Sequence, residues 1–215
     1  MRPDSLILAF DTSAAHCAAA LLSGDRLLVH RFEPMDKGQA ERLIPLLDEV
    51  LAEARASWPD LCAIAVGTGP GNFTGVRIAV AAARGLALSL GIPAIGVTAL
   101  EARAFDLPRP IVVVEDARRG EIYLQAFGPD ADEARLTTVA ALPDEAGAAR
   151  FTGSAAEAAA QATGGEAVPQ PVALVAAIAR IAASREGVQH PRPAPFYLRG
   201  ADAAPPSDPP PVILP

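Results

Sequence analysis

The first residues able to do chemistry are Asp11-Thr12-Ser13, at the end of the apolar run Leu6–Asp11. A carboxylate followed by two hydroxyls at a strand end can serve a metal–phosphate site. The same three residues also make an Asx-type turn, and their spacing fits both uses. The second candidate is the loop Gly67-Thr68-Gly69-Pro70-Gly71-Asn72-Phe73-Thr74-Gly75. It joins an apolar run to a helical one, where free backbone N–H groups and the helix dipole can hold an anion. Neither phosphate-loop pattern fits it. A Walker loop ends in Gly-Lys-Ser/Thr, but Gly75 is followed by Val76-Arg77. A dinucleotide fingerprint begun at Gly67 needs glycine where Asn72 stands, and one begun at Gly69 needs glycine where Thr74 stands. The plain alternative is a tight turn with Thr74 capping the helix.

A third candidate is Glu115-Asp116-Ala117-Arg118-Arg119-Gly120-Glu121-Ile122-Tyr123. Its charges suit a solvated hairpin tip with local ion pairs, or an anion clamp at Arg118. His16, His30 and His190 show no metal-ligand spacing, and His16 reads as a strand residue near the core edge. Cys17 and Cys62 sit in apolar runs, read as small buried hydrophobes and have no neighbouring base. No serine occupies a Gly-x-Ser-x-Gly turn. Residue chemistry alone offers no catalytic centre, no metal site and no cofactor.

The elements that position these groups follow from hydrophobic periodicity. Leu6–Asp11, His16–Leu22 and Leu27–Glu33 are predicted strands, the last two joined by a turn at Ser23-Gly24-Asp25-Arg26. Gln39–Arg55 is a predicted helix. Its apolar residues Ala40, Leu43, Ile44, Leu46, Leu47, Val50, Leu51 and Ala54 fill an arc of roughly 160°, against about 100° for an ordinary surface helix. The excess points to a contact beyond the local sheet. Leu61–Gly67 is a buried strand feeding the glycine loop, and a helix follows from about Thr74 to Leu90. Its core stripe is Val76, Ala79, Val80, Ala83, Leu86, Ala87 and Leu90. The opposite face carries Arg77, Ala81, Arg84, Gly85 and Leu88, small residues edged by arginine that suit the close approach of another helix. Ala94–Val97 is the next strand, with Thr98 capping a short helix.

Leu107-Pro108-Arg109-Pro110 is the best boundary. It divides an N-terminal α/β domain (1–107) from a smaller C-terminal one (108–190) and a Pro-rich tail (191–215). The C-terminal part is a reduced echo of the first: strands at Ile111–Glu115, Glu121–Phe127, Ala134–Val139 and Arg150–Thr152, and helices at Ser154–Thr163 and Val172–Arg185.

The 215 residues carry a formal net charge of −7, with Lys and Arg numbering 10 against 12 Asp and Glu over 1–110, and 8 against 13 over 111–215. Neither part has the basic footprint of a protein that grips nucleic acid alone. With no visible signal peptide and no uninterrupted membrane-spanning stretch, the expected location is the cytoplasm.

ILAFDTS, ERLIPLLDEVLAEA, GTGPGNFTGVRIAVAAARGLA, EDARRGEIY and PFYLRG follow one another over roughly residues 6–200. In that order they resemble the TsaB (YeaZ) family. The resemblance implies an actin-like, sugar-kinase-like (ASKHA) α/β fold of two similar domains with a cleft between. It implies a part in making threonylcarbamoyladenosine at position 37 of tRNAs that read ANN codons. It also implies a non-catalytic subunit that pairs with a TsaD-like catalytic subunit, recruits a TsaE-like ATPase, forms a homodimer when alone, and meets tRNA only through the complex. The helical faces at the partner are then Leu43, Leu47 and Val50 with Arg77, Ala81, Arg84, Gly85 and Leu88. Asp11, Thr12, Ser13, Gly69, Gly71, Asn72 and Thr74 would be the shell of a vestigial phosphate site. Gln39-Ala40 and Asn72 depart from the His and Ser that many members carry, which speaks against metal or phosphate at those positions. The alternative is a stand-alone actin-like ATPase or metallopeptidase, which needs ligands that the sequence does not offer.

Overall fold

The structure, a computed structural model, describes residues 5–129, 131–146 and 149–199. The first sheet contains β1 (Leu6–Asp11), β2 (His16–Ser23), β3 (Arg26–Pro34), β4 (Leu61–Gly67) and β5 (Ala94–Val97), in the order β3-β2-β1-β4-β5. The first three strands form an antiparallel meander, and β4 and β5 run parallel to β1. Parallel neighbours need a crossover. From β3 the chain returns through α1 (Gln39–Glu53) to lay β4 beside β1, and α2 (Phe73–Leu90) is the crossover from β4 to β5.

Alternation along the strands assigns the two faces. Leu8, Phe10, Ala19, Leu21, Ile64 and Val66 point at α1 and α2. Ile7, Ala9, Ala18, Ala20, Ala63 and Ala65 point the other way. That second face, rich in alanine, receives α6 (Leu174–Ser184), whose own Ala177, Ala179 and Ala182 let helix and sheet approach closely. The short helix α3 (Ala99–Arg103) lies beside it, capped by Thr98, whose side chain accepts from Glu101 N.

The second sheet contains β6 (Ile111–Asp116), β7 (Glu121–Phe127), β8 (Arg135–Thr138), β9 (Arg150–Thr152) and β10 (Glu166–Ala167), in the order β10-β9-β6-β7-β8. Numbered from β6 as first, that is third-second-first-fourth-fifth read from β8, the winding of the first sheet repeated. Again the first three strands are antiparallel and the last two run parallel to the first. One face is covered by α4 (Leu142–Glu145) and α5 (Ala156–Thr163). The other packs on Leu100 and Ala104, at and just after α3. Two α/β lobes wound alike bear out the expected actin-like fold.

Several details depart from the sequence reading. The last helix, although it follows the second sheet in the chain, packs on the first. The α2 cap is Asn72, not Thr74: its side chain accepts from the N–H groups of Thr74 and Gly75. By length and composition alone α2 is apolar enough to cross a membrane, despite Arg77 and Arg84, but its stripe Val76, Ala79, Val80, Ala83 and Ala87 is buried within the lobe. Leu43, Leu47 and Val50, expected at a partner, are fully buried against Phe10, Leu21 and Ala83. The wide apolar arc points at the sheet, and within it Ala40 and Ile44 are exposed and Ala54 is partly exposed. Residues of the Pro-rich tail from 200 onward lie outside the described residues.

Candidate functional site

Asp11 stands where β1 leaves the first sheet, and its side chain is wholly buried. Oδ1 accepts three hydrogen bonds, from Ser13 N (3.0 Å), Ser13 Oγ (2.8 Å) and His16 Nε2 (2.8 Å). The first is the Asx turn foreseen from the sequence. His16, read there only as a strand residue, proves to be a direct partner of the carboxylate. His16 opens β2 five residues on, across a tight turn, while Asp11 itself pairs in the sheet with Ala18. Asp11 Oδ2 is buried with no hydrogen-bond partner, lying against Gly67, where a Cβ would stand 1.8 Å from it. Serine, histidine and aspartate are thus together, with Ser13 Oγ and His16 Nε2 both on Asp11 Oδ1 rather than on each other. Cys17, next in the chain, is buried, and burial pushes its thiol up to about 11, far from a reactive thiolate.

The glycine loop folds back on this turn. Asn72 N donates to Ser13 O (2.6 Å) and Thr12 Oγ1 donates to Gly75 O (2.7 Å). Asn72 Oδ1 takes the N–H groups of Thr74 (3.0 Å) and Gly75 (3.2 Å), and Asn72 O takes that of Val76 (2.9 Å). Asp11, Thr12, Ser13, Gly69, Gly71, Asn72 and Thr74 are therefore brought together. Of the N–H groups at the start of α2, those of Thr74, Gly75 and Val76 are taken by Asn72. Among the described residues no three His, Cys, Asp or Glu side chains are grouped to hold a metal.

Between the lobes lies a cleft of about 740 Å³. Ser13, His16 and Asn72 line one wall, and Glu115, Arg118 and Ser154 line the other. Two carboxylates of the charged hairpin between β6 and β7 pair outside it. Glu115 meets Arg103 of α3 at 2.8 Å, and Glu121 meets Arg199. Both partners come from outside the second sheet. Arg118 stands at the tip with φ 63°, its N–H held by Asp116 Oδ1 at 2.9 Å.

The outer face of α2 is as the sequence arranged it: Arg77, Ala81, Arg84, Gly85 and Leu88 are exposed, Leu88 to 82%. On α1, Ile44 is 41% exposed.

Residues 33–186 match the family model described as TsaD: tRNA N6-adenosine threonylcarbamoyltransferase. The Escherichia coli tRNA threonylcarbamoyladenosine biosynthesis protein TsaB is 36% identical over 129 residues, 58% of this chain and 55% of that one. The match thus spans little more than half of that relative. An uncharacterized protein of Mycobacterium tuberculosis is 34% identical over 217 residues, covering 94% of this chain and 95% of the other. YeaZ from Pseudomonas aeruginosa is 30% identical, with a TM-score of 0.70 over 90% of this chain and all of that one.

Proposed function

The chain belongs to the TsaB (YeaZ) family, and from that premise we propose that it serves the formation of threonylcarbamoyladenosine in tRNA as a docking subunit with no reaction centre of its own. The observation that carries this proposal is the outer face of α2. Ala81 and Gly85 leave the helix surface low enough for a second helix axis to come within roughly 8 Å. Leu88 and Ile44 supply apolar surface to bury, and Arg77 and Arg84 flank it. The partner that fits is a TsaD-like catalytic subunit offering helices of its own. A TsaE-like ATPase joins the pair, and a second copy of this chain takes the same surface when the catalytic subunit is missing. The net charge of −7 leaves tRNA binding to the complex, in the cytoplasm. The inward wiring of Asp11, Ser13 and His16 supports a subunit without chemistry of its own.

Ala81→Trp tests this. A bulky ring at the centre of the face wedges the helices apart while the buried stripe stays untouched, and interface centres carry most of the binding energy, so a loss of about 2 kcal/mol or more is expected. The variant should melt close to the parent, fail to co-purify with the TsaD-like subunit, and fail to support tRNA modification in a reconstituted system. A folded variant that binds with unchanged affinity assigns the wrong surface.

A further inference from the structure

We propose that residues 193–199 form a strap that holds the cleft between the lobes closed, and that the cleft opens when the strap lets go. The strap begins on the first lobe, where Pro193 lies against Gly96 on the edge strand β5. Phe196 N then donates to Thr68 O in the glycine loop (2.8 Å). Tyr197 stacks on Phe73 with ring centroids 4.9 Å apart, and its hydroxyl accepts from Arg77 Nε at 3.1 Å. The Arg77 guanidinium sits over the same Phe73 ring at 3.8 Å, so three side chains close around one point at the start of α2. Two residues further on, Arg199 pairs with Glu121 of β7, and Leu198 packs with Ile111, Val113 and Tyr123 under the second sheet.

The main chain crosses between the lobes at 104–110 and again at 168–173, between the second sheet and α6. Two crossings make a hinge. The strap is a third, and its hold on the second lobe is non-covalent. Phe196, Tyr197, Leu198 and Arg199 also form part of the cleft wall, so whatever enters the cleft meets the strap. Its fastenings are half-exposed, the Arg199 and Glu121 side chains to 21% and 36%, which makes them among the easier contacts to break. Arg77 serves both the strap and the docking face, but the fastening tested below, Arg199 on Glu121, lies on neither helix of that face.

Hydrogen exchange read by mass spectrometry on the full chain tests it. In Arg199→Glu the cleft-wall loops 68–73 and 116–121 should exchange about fivefold faster, while β1 and α6 exchange as in the parent. The double variant Arg199→Glu with Glu121→Arg should return the loops to the parental rate. Parental rates in the single variant overturn the strap, as does acceleration that the charge swap leaves unrepaired. If the charge reversal also speeds exchange in β1, Tyr197→Ala decides instead. Acceleration confined to the two loops supports the strap, and rates equal to the parent's overturn it.

Discussion

Two glycines in α2, ten positions apart, should respond to alanine with opposite signs. A Cβ on Gly75 would stand 1.9 Å from Thr12 O, a backbone atom that cannot swing aside. Ordinary carbon–oxygen contact is at about 3.3 Å, so the helix start and the turn must separate by more than about 1 Å. That movement breaks the bond from Thr12 Oγ1 to Gly75 O and the bond from Asn72 N to Ser13 O. Buried polar groups left unpaired cost about 1–3 kcal/mol each, and alanine returns about 0.5–1 kcal/mol of helix propensity. A net loss of about 3 kcal/mol lowers the melting temperature of a chain this size by about 6–12 °C. Nothing lies within 4 Å of a Cβ on Gly85, so Gly85→Ala keeps only the propensity gain and should melt about 1–4 °C higher. Scanning calorimetry on the two variants and the parent measures both. A Gly75→Ala protein melting at or above the parent would show that the loop and turn are not locked backbone to backbone.

Arg84→Glu should weaken capture of the TsaD-like subunit less than Ala81→Trp does, and the deficit should shrink in about 0.5 M salt, read by titration at both ionic strengths. An equal deficit at both would remove charge from the account. The hydrogen bond from Arg42 holds Glu33 below its ordinary 4.5. A depressed carboxylate adds stability above its unfolded value and loses it as pH falls through the folded one. Glu33→Gln should therefore be less stable than the parent at pH 7, by no more than about 1 kcal/mol for so exposed a pair, with the gap closing as pH falls below 4.5. A gap of constant size across that range would mean that the carboxylate charge is not its source.

Local patterns carried most of the fold. β1, β4, β5, β7 and β9 begin and end where the sequence predicts them, and the two faces of α2 follow from its periodicity alone. What the sequence hid was long-range. The two-residue strand β10 has no periodicity to detect, and α4 is a single turn. Nothing in Leu174–Ser184 says which sheet it covers, because alanine-rich helices suit either. A helical wheel gives the width of the α1 arc but not which of its residues the sheet covers, and Leu43, Leu47 and Val50 are covered. Asn72 rather than Thr74 caps α2, since its side-chain oxygen takes the N–H groups of Thr74 and Gly75. The Asp11–Ser13 turn was legible as an Asx motif, whereas the His16 contact and the two ion pairs of the charged hairpin depend on pairings known only once both sheets are built.

The two lobes trade helices: α6 lies on the first sheet, and the end of α3 lies under the second. A break in the backbone between 107 and 108 would leave neither fragment with a closed core. The first would bare the alanine face that Ile178 and Ile181 cover, and the second would bare Ile111, Val113 and Tyr123. Fragments made apart carry wet apolar faces that invite aggregation, and fragments made together carry complementary ones. During synthesis the same dependence sets an order of events. The meander and α1–α2 face of the first lobe can assemble as they emerge, but its other face waits, open, until the last helix has left the ribosome.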